Sequence, residues 1–243
     1  MTKLKTFIWV LFGSLCLISC DELDNISTPG LTNEEIVMGL KTALKVGTDS
    51  SVKIVSQTDG YFKDELIKIL LPDEAEPIIK NISSLPGGQA LLDETIKAIN
   101  RSAEDAATEA TPIFVNAITN ITIEDGMSIL KGQNNAATEY LKTKTNDSLY
   151  QAFQPKIKTS LSKELIPGVS AESSYARLIN TYNDIIANNS LGFIKPITTN
   201  SLSEHTTKKG LIGLYTKVAK EEENIRTKAA HRVNDILRKV FGE

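Results

Sequence analysis

The sequence predicts an all-α fold, a multi-helix bundle of about eight to eleven short and medium helices with no sheet. Three observations carry that reading. From residue 32 onward, apolar positions recur at three- and four-residue spacing. Helix starts of the Thr-x-x-Glu kind recur along the same stretch. No segment alternates apolar and polar residues between turn signals at both ends, as a half-buried strand does. With 243 residues, 41% hydrophobic and 23% charged, the chain has material for a core. That composition excludes a disordered tail, a collagen-like fibre and a disulfide-dense toxin.

The chain opens with an address. Lys3 and Lys5 precede an apolar stretch, Phe7 to Ile18, which is too short to span a bilayer, since a spanning helix needs about 20 residues. This pattern predicts a secretory signal over residues 1–19. Leu17-Ile18-Ser19-Cys20 resembles the lipobox of bacterial lipoproteins, in which the cysteine is lipidated and the chain is cut before it. Cys20 is therefore the expected lipidation site, with further acylation such as palmitate completing a stable membrane anchor. Cleavage leaves 25 basic against 30 acidic side chains, with Cys20 as the sole cysteine and no tryptophan. No intramolecular disulfide is then expected, and the acidic balance offers no attraction for nucleic acid. Residues 20–31 read as an acidic tether carrying Asp21, Glu22 and Asp24. The expected location is the bacterial cell envelope, the outer membrane ahead of the inner membrane or cell surface.

Residues 32–243 read as one helical domain. Thr32-Asn33-Glu34-Glu35 has capping-box spacing, and Ile36, Leu40, Ala43 and Leu44 then share a face, with Gly47 as the expected stop. A second short helix is expected over 48–58, with Val52 and Val55 on its apolar side, before an Asp59-Gly60 turn. Pro72, Pro77 and Pro86 divide the next stretch into short pieces. The clearest periodicity covers 91–110, where Leu92, Ile96, Ile99, Ala103, Ala106 and Ala110 form a coiled-coil-like seam. Its alanine half lets a neighbouring helix approach closely, and Pro112 is expected to end it. A short helix over 113–118 follows, then a cap at Thr122 with Gly132 past the helix end. Separate helices are expected over 136–150 and 153–165, broken from the next by Pro167-Gly168. A helix over 173–187 presents Tyr175, Leu178, Tyr182 and Ile185 on one face. Asn188, Asn189 and Gly192 open a loop reaching Pro196, and Ser201 to Glu204 has a third capping-box spacing. The last helix is expected to carry Val233, Ile236, Leu237 and Val240.

Residues 39–49 (GLKTALKVGTD), 100–107 (NRSAEDAA), 113–115, 123–125, 129–132 and 136–141 resemble an uncharacterised bacterial lipoprotein family, domain of unknown function 4197. The likeness continues through 219–222, 225–226 and 235–242. The resemblance implies a helical envelope protein without an assigned activity, so it transfers no functional residues.

Candidate chemistry is sparse. His205 and His231 stand outside any HExxH-like spacing and read as solvated surface histidines, so no metal site is expected. GxSxG, GxxxxGK[ST] and GxGxxG are absent, and no catalytic residue and no cofactor is assigned. Pro86-Gly87-Gly88 is read as a turn between helices rather than an anion cradle. The one polar candidate joins Arg101, Glu104 and Glu109 with Asp125, Lys131, Glu139 or Tyr140 from neighbouring helices, to hold a cation or polar ligand. A solvated face with helix caps accounts for the same residues. Arg101 and Asp105, expected to point outward, have i,i+4 spacing, as do Glu222 and Arg226 on what reads as a surface.

Three function classes follow, in this order. A tethered binding or scaffolding module recruiting an envelope protein requires an exposed apolar patch. A carrier of a lipid or small apolar ligand requires an internal cavity. An enzyme using carboxylates requires buried acids converging from different helices, and is not the expectation.

Overall fold

The computed structural model describes residues 31–188, 196–198 and 202–241. The signal segment, Cys20, nearly all of the tether, the Ser201 cap and most of the 189–196 loop lie outside the described residues. The fold is all-α: among the described residues there is no sheet, only an isolated bridge between Ile166 and Val169. No helix among them is long and apolar enough to cross a membrane.

Helix α1 (Asn33–Val55) starts at a complete capping box. The Thr32 N–H donates to Glu35 Oε2 at 2.8 Å, and the Glu35 N–H donates to Thr32 Oγ1 at 3.2 Å. Gly47 does not stop this helix. The expected second helix is its continuation, because the buried face runs on through Gly47 to Val52 and Val55. Burial of Ile36, Leu40, Leu44, Val52 and Val55 on one helix outweighs the roughly 1 kcal/mol helix penalty of glycine. The chain then turns at Asp59, which has a φ of 72°. Residues 56–72 are irregular, and a 3-10 turn at Asp73–Ala75 leads into the short α2 (Glu76–Lys80).

Helix α3 (Gly88–Ala106) carries the expected seam, with Leu92, Ile99, Ala103 and Ala106 buried. A 3-10 turn at Ala107–Glu109 passes it into α4 (Ala110–Thr119). Pro112 thus lies in the first turn of α4 rather than closing the seam, a place where its missing N–H costs nothing. Thr122 caps α5 (Ile123–Lys131) with a capping box completed by Asp125, and Gly132 is its C-cap, as expected. The two helices expected over 136–165 are one, α6 (Ala136–Ser162), with Pro155 inside it. Leu141, Leu149, Phe153, Ile157 and Leu161 form one continuous buried stripe, which keeps the helix whole across the proline.

Helix α7 (Ala171–Asn188) buries Tyr175, Leu178 and Tyr182. Helix α8 (Leu202–Thr227) is the axis of the bundle and packs most extensively against α6 and α1. Gly210 faces Ala103 of the alanine seam, as the seam predicts, and the Tyr61 hydroxyl donates to the Gly210 carbonyl at 2.7 Å. The last helix, α9 (Asp235–Phe241), buries Leu237, whereas Val233 lies before it and is exposed.

Candidate functional site

The seven residues proposed from the sequence separate into distinct places. Arg101 and Glu104, one turn apart on α3, do meet. Glu104 is 4% exposed and accepts the N–H groups of Asp59, Tyr61 and Phe62 at 3.1–3.2 Å, and Arg101 Nη1 at 2.6 Å. Arg101 also binds Asp59, and its guanidinium lies over the Phe62 ring. The hydrogen bond from Arg101, followed by that from Lys63, holds the Asp59 carboxyl down at about 2. Asp125 and Tyr140 form the second group: Asp125 completes the α5 cap and accepts the Tyr140 hydroxyl at 3.2 Å. Its carboxyl is lowered first by the Thr122 backbone hydrogen bond, and burial raises the Tyr140 phenol.

The other three stand apart. Glu109 pairs with Lys156 at 3.0 Å on an open surface. Lys131 is exposed in the last turn of α5, and Glu139 is exposed in the first turn of α6. The expected Arg101–Asp105 pair does not form. Arg101 is largely covered rather than outward, and Asp105 instead accepts from Ser160 of α6 and from Lys163 just past its end.

A second buried carboxylate lies where the sequence suggested a surface. Glu222 accepts the N–H groups of Ala137 and Thr138 at 2.9 and 2.8 Å and the Thr138 hydroxyl at 2.7 Å. It thereby caps α6, whose own N-cap residue Asn135 makes no side-chain cap bond. Arg226 pairs with Glu222 at 2.9 Å and donates to the Ile129 carbonyl near the end of α5. The i,i+4 spacing of this pair was legible; its burial was not. The two buried acids share no partner residue, and both are bound to backbone amides. The histidines are likewise engaged: the His205 ring meets the Leu70 carbonyl and the His231 ring meets Glu221, each at 2.9 Å. Among the described residues no group of three or more histidine, cysteine or acidic side chains is placed to hold a metal.

A small pocket between α1, α6, α8 and α9 holds about 20 Å³, room for one water. The open surface is different. Residues 61–70 lie antiparallel along α8: Asp64 binds Lys217, Ile67 faces Gly213, and Leu70 meets His205. A side chain at Gly213 would sit 2.6 Å from the Tyr61 ring, so glycine admits this approach. Beside the segment, Leu70, Ile79, His205 and Lys209 line a groove of about 520 Å³. Across the α8 ridge, Tyr150, Ile212, Tyr215 and Lys142 line another of about 480 Å³. Leu66, Leu70, Ile79 and Ile212 are exposed along this strip, Leu66 to 84%. Within the second groove burial pushes the Tyr215 phenol up to about 12, and its oxygen is hydrogen-bonded to Thr145 at 2.8 Å.

No curated protein and no solved structure matches the chain. One family model does, over residues 30–242, the same helical unit that holds both buried carboxylates and the apolar strip. The chain belongs to that family, described as "Protein of unknown function (DUF4197)".

Proposed function

We propose that this is an envelope lipoprotein, anchored in a membrane through Cys20, whose helical domain is a binding module for another envelope protein. The observation that carries the reading is the exposed strip along the first half of α8. Two open grooves flank it, with Leu70 and Ile79 exposed in one, Ile212 exposed in the other and Leu66 exposed on the segment laid along it, and exposed large apolar side chains are characteristic of protein interaction sites. Lys142 and Lys209, on the two groove walls, enter no ion pair among the described residues. The same walls carry Asp73 and Glu139, so the matching partner is a protein segment defined by its apolar residues rather than by one sign of charge.

The test is photo-crosslinking in cells, with a photoreactive residue placed in turn at positions 66, 70 and 212 and at control position 53. A single protein adduct of constant mass from the three strip positions, lost on Leu70→Asp, supports the reading. Equal labelling at position 53, or an adduct unaffected by Leu70→Asp, overturns it. Mass spectrometry of the mature N-terminus tests the anchor separately, with a lipid-modified Cys20 as the expected species and an unmodified Cys20 as the refutation.

A further inference from the structure

The helical bundle has two ends, and the apolar strip and Thr32 are at opposite ones. Thr32 caps α1, and α1 runs antiparallel to α8. Gly39 packs on Ile236 and Val240 of α9, past the end of α8, and Gly47 faces Glu221 and Ile225. Tyr61, beyond the far end of α1, reaches Gly213 and the Gly210 carbonyl. Helix α6 has the same sense, with Thr138 on Glu222 and the Gln154 carbonyl near Ser203. The near end therefore gathers the starts of α1 and α6. The far end gathers the start of α8 with residues 61–70.

The strip belongs wholly to the far end. Ile212 adjoins Gly213 at the level of Tyr61, Leu70 is farther on at His205, and Ile79 shares the Leu70 groove. The whole of α1, 23 residues and about 35 Å, separates Thr32 from the strip. The covalent path from Cys20 to Thr32 spans at most about 40 Å. An anchor at Cys20 thus holds the near end toward the bilayer, and lipid excludes orientations that swing the far end through it. Along their middles the outer faces of α1 and α6 are charged (Lys45, Asp49 and Lys53; Lys142, Lys144 and Asp147), which gives lipid little apolar surface on which the bundle could lie flat. The near end, by contrast, exposes Met38 and Ile123.

We propose that the strip is displayed at the end of the bundle directed away from the anchoring membrane, so that its partner is a protein segment standing roughly 35–75 Å off that bilayer rather than one lying in or on it. The inference rests on the Cys20 anchor and the binding module proposed above. The test uses the mature lipidated chain, whose Cys20 thiol is blocked by lipid, so that one added cysteine takes a single donor dye. Glu34→Cys, Lys45→Cys, Lys53→Cys and Leu70→Cys are each reconstituted into phosphatidylethanolamine–phosphatidylglycerol vesicles carrying an energy-accepting lipid. Energy transfer should fall in the order 34, 45, 53, 70, and be at least about two-fold stronger at 34 than at 70, as a separation of the length of α1 requires. Ile212→Cys, 60% exposed across the ridge, takes the place of Leu70→Cys should that chain misfold. Equal transfer at the two ends, or more at the strip, puts the strip on the lipid and overturns the inference while leaving the anchor standing. A chain that does not float with the vesicles overturns the anchor, and the inference with it.

Discussion

Glu104 and Glu222 are the same device in two settings. Each is a buried carboxylate with an arginine on its own helix, Arg101 or Arg226, and each accepts backbone N–H groups from a segment far away in sequence. The settings differ. Glu222 sits at the N-terminus of α6, where free amides already converge and the helix dipole favours a negative charge. Glu104 holds a stretch with no regular structure, around an Asp59 in the left-handed region, whose three amides converge only because the carboxylate is there. The difference teaches that buried charge in this bundle repairs deficits in backbone hydrogen bonding. The repair matters most where the backbone has no helix to organise it.

That comparison makes Glu104→Ala the most damaging change. It strands three amides and removes one partner of a largely covered guanidinium, so it should cost about 3–5 kcal/mol in denaturant unfolding. Glu222→Ala should cost less, about 2–3 kcal/mol, because the α6 terminus can fray toward water and Arg226 keeps the Ile129 carbonyl. If the two losses came out equal or reversed, the distinction between loop and helix end would fail. The smallest effect concerns Asp59, and it is a matter of pH. Its folded pKa is about 2 against an ordinary 3.8, so its contribution is complete above about pH 4 and disappears as pH falls through 2. Asp59→Asn should therefore melt below wild type at neutral pH and converge with it near pH 2. A constant gap across that range would break the assignment.

Much of the fold was legible in local pattern. Thr32 and Thr122 declared their caps, the Leu92–Ala110 seam declared its buried face, and Asp59-Gly60 declared a turn. The stop expected at Gly47 and the break expected between residues 150 and 153 fail for one cause: each lies in a helix held together by a long buried stripe that local rules do not weigh. Of the candidate site, Arg101 with Glu104 and Asp125 with Tyr140 were legible as groups capable of meeting. Glu109, Lys131 and Glu139 joined neither, because helical spacing assigns a residue to a face without naming what lies opposite.

The sequence by itself determined that the chain is helical, the caps at Thr32 and Thr122 and the apolar faces, since these follow from interactions within a few residues along the chain. The continuity of α1 and α6 was decided by the core they pack into. Only the tertiary structure decided that Glu222 is buried on the start of α6, that Glu104 gathers the loop at Asp59, and that residues 61–70 lie along α8 with apolar side chains outward. Each of these joins segments separated by 42 to 153 positions. Their pairing is selected by packing of the whole core, which no local pattern encodes.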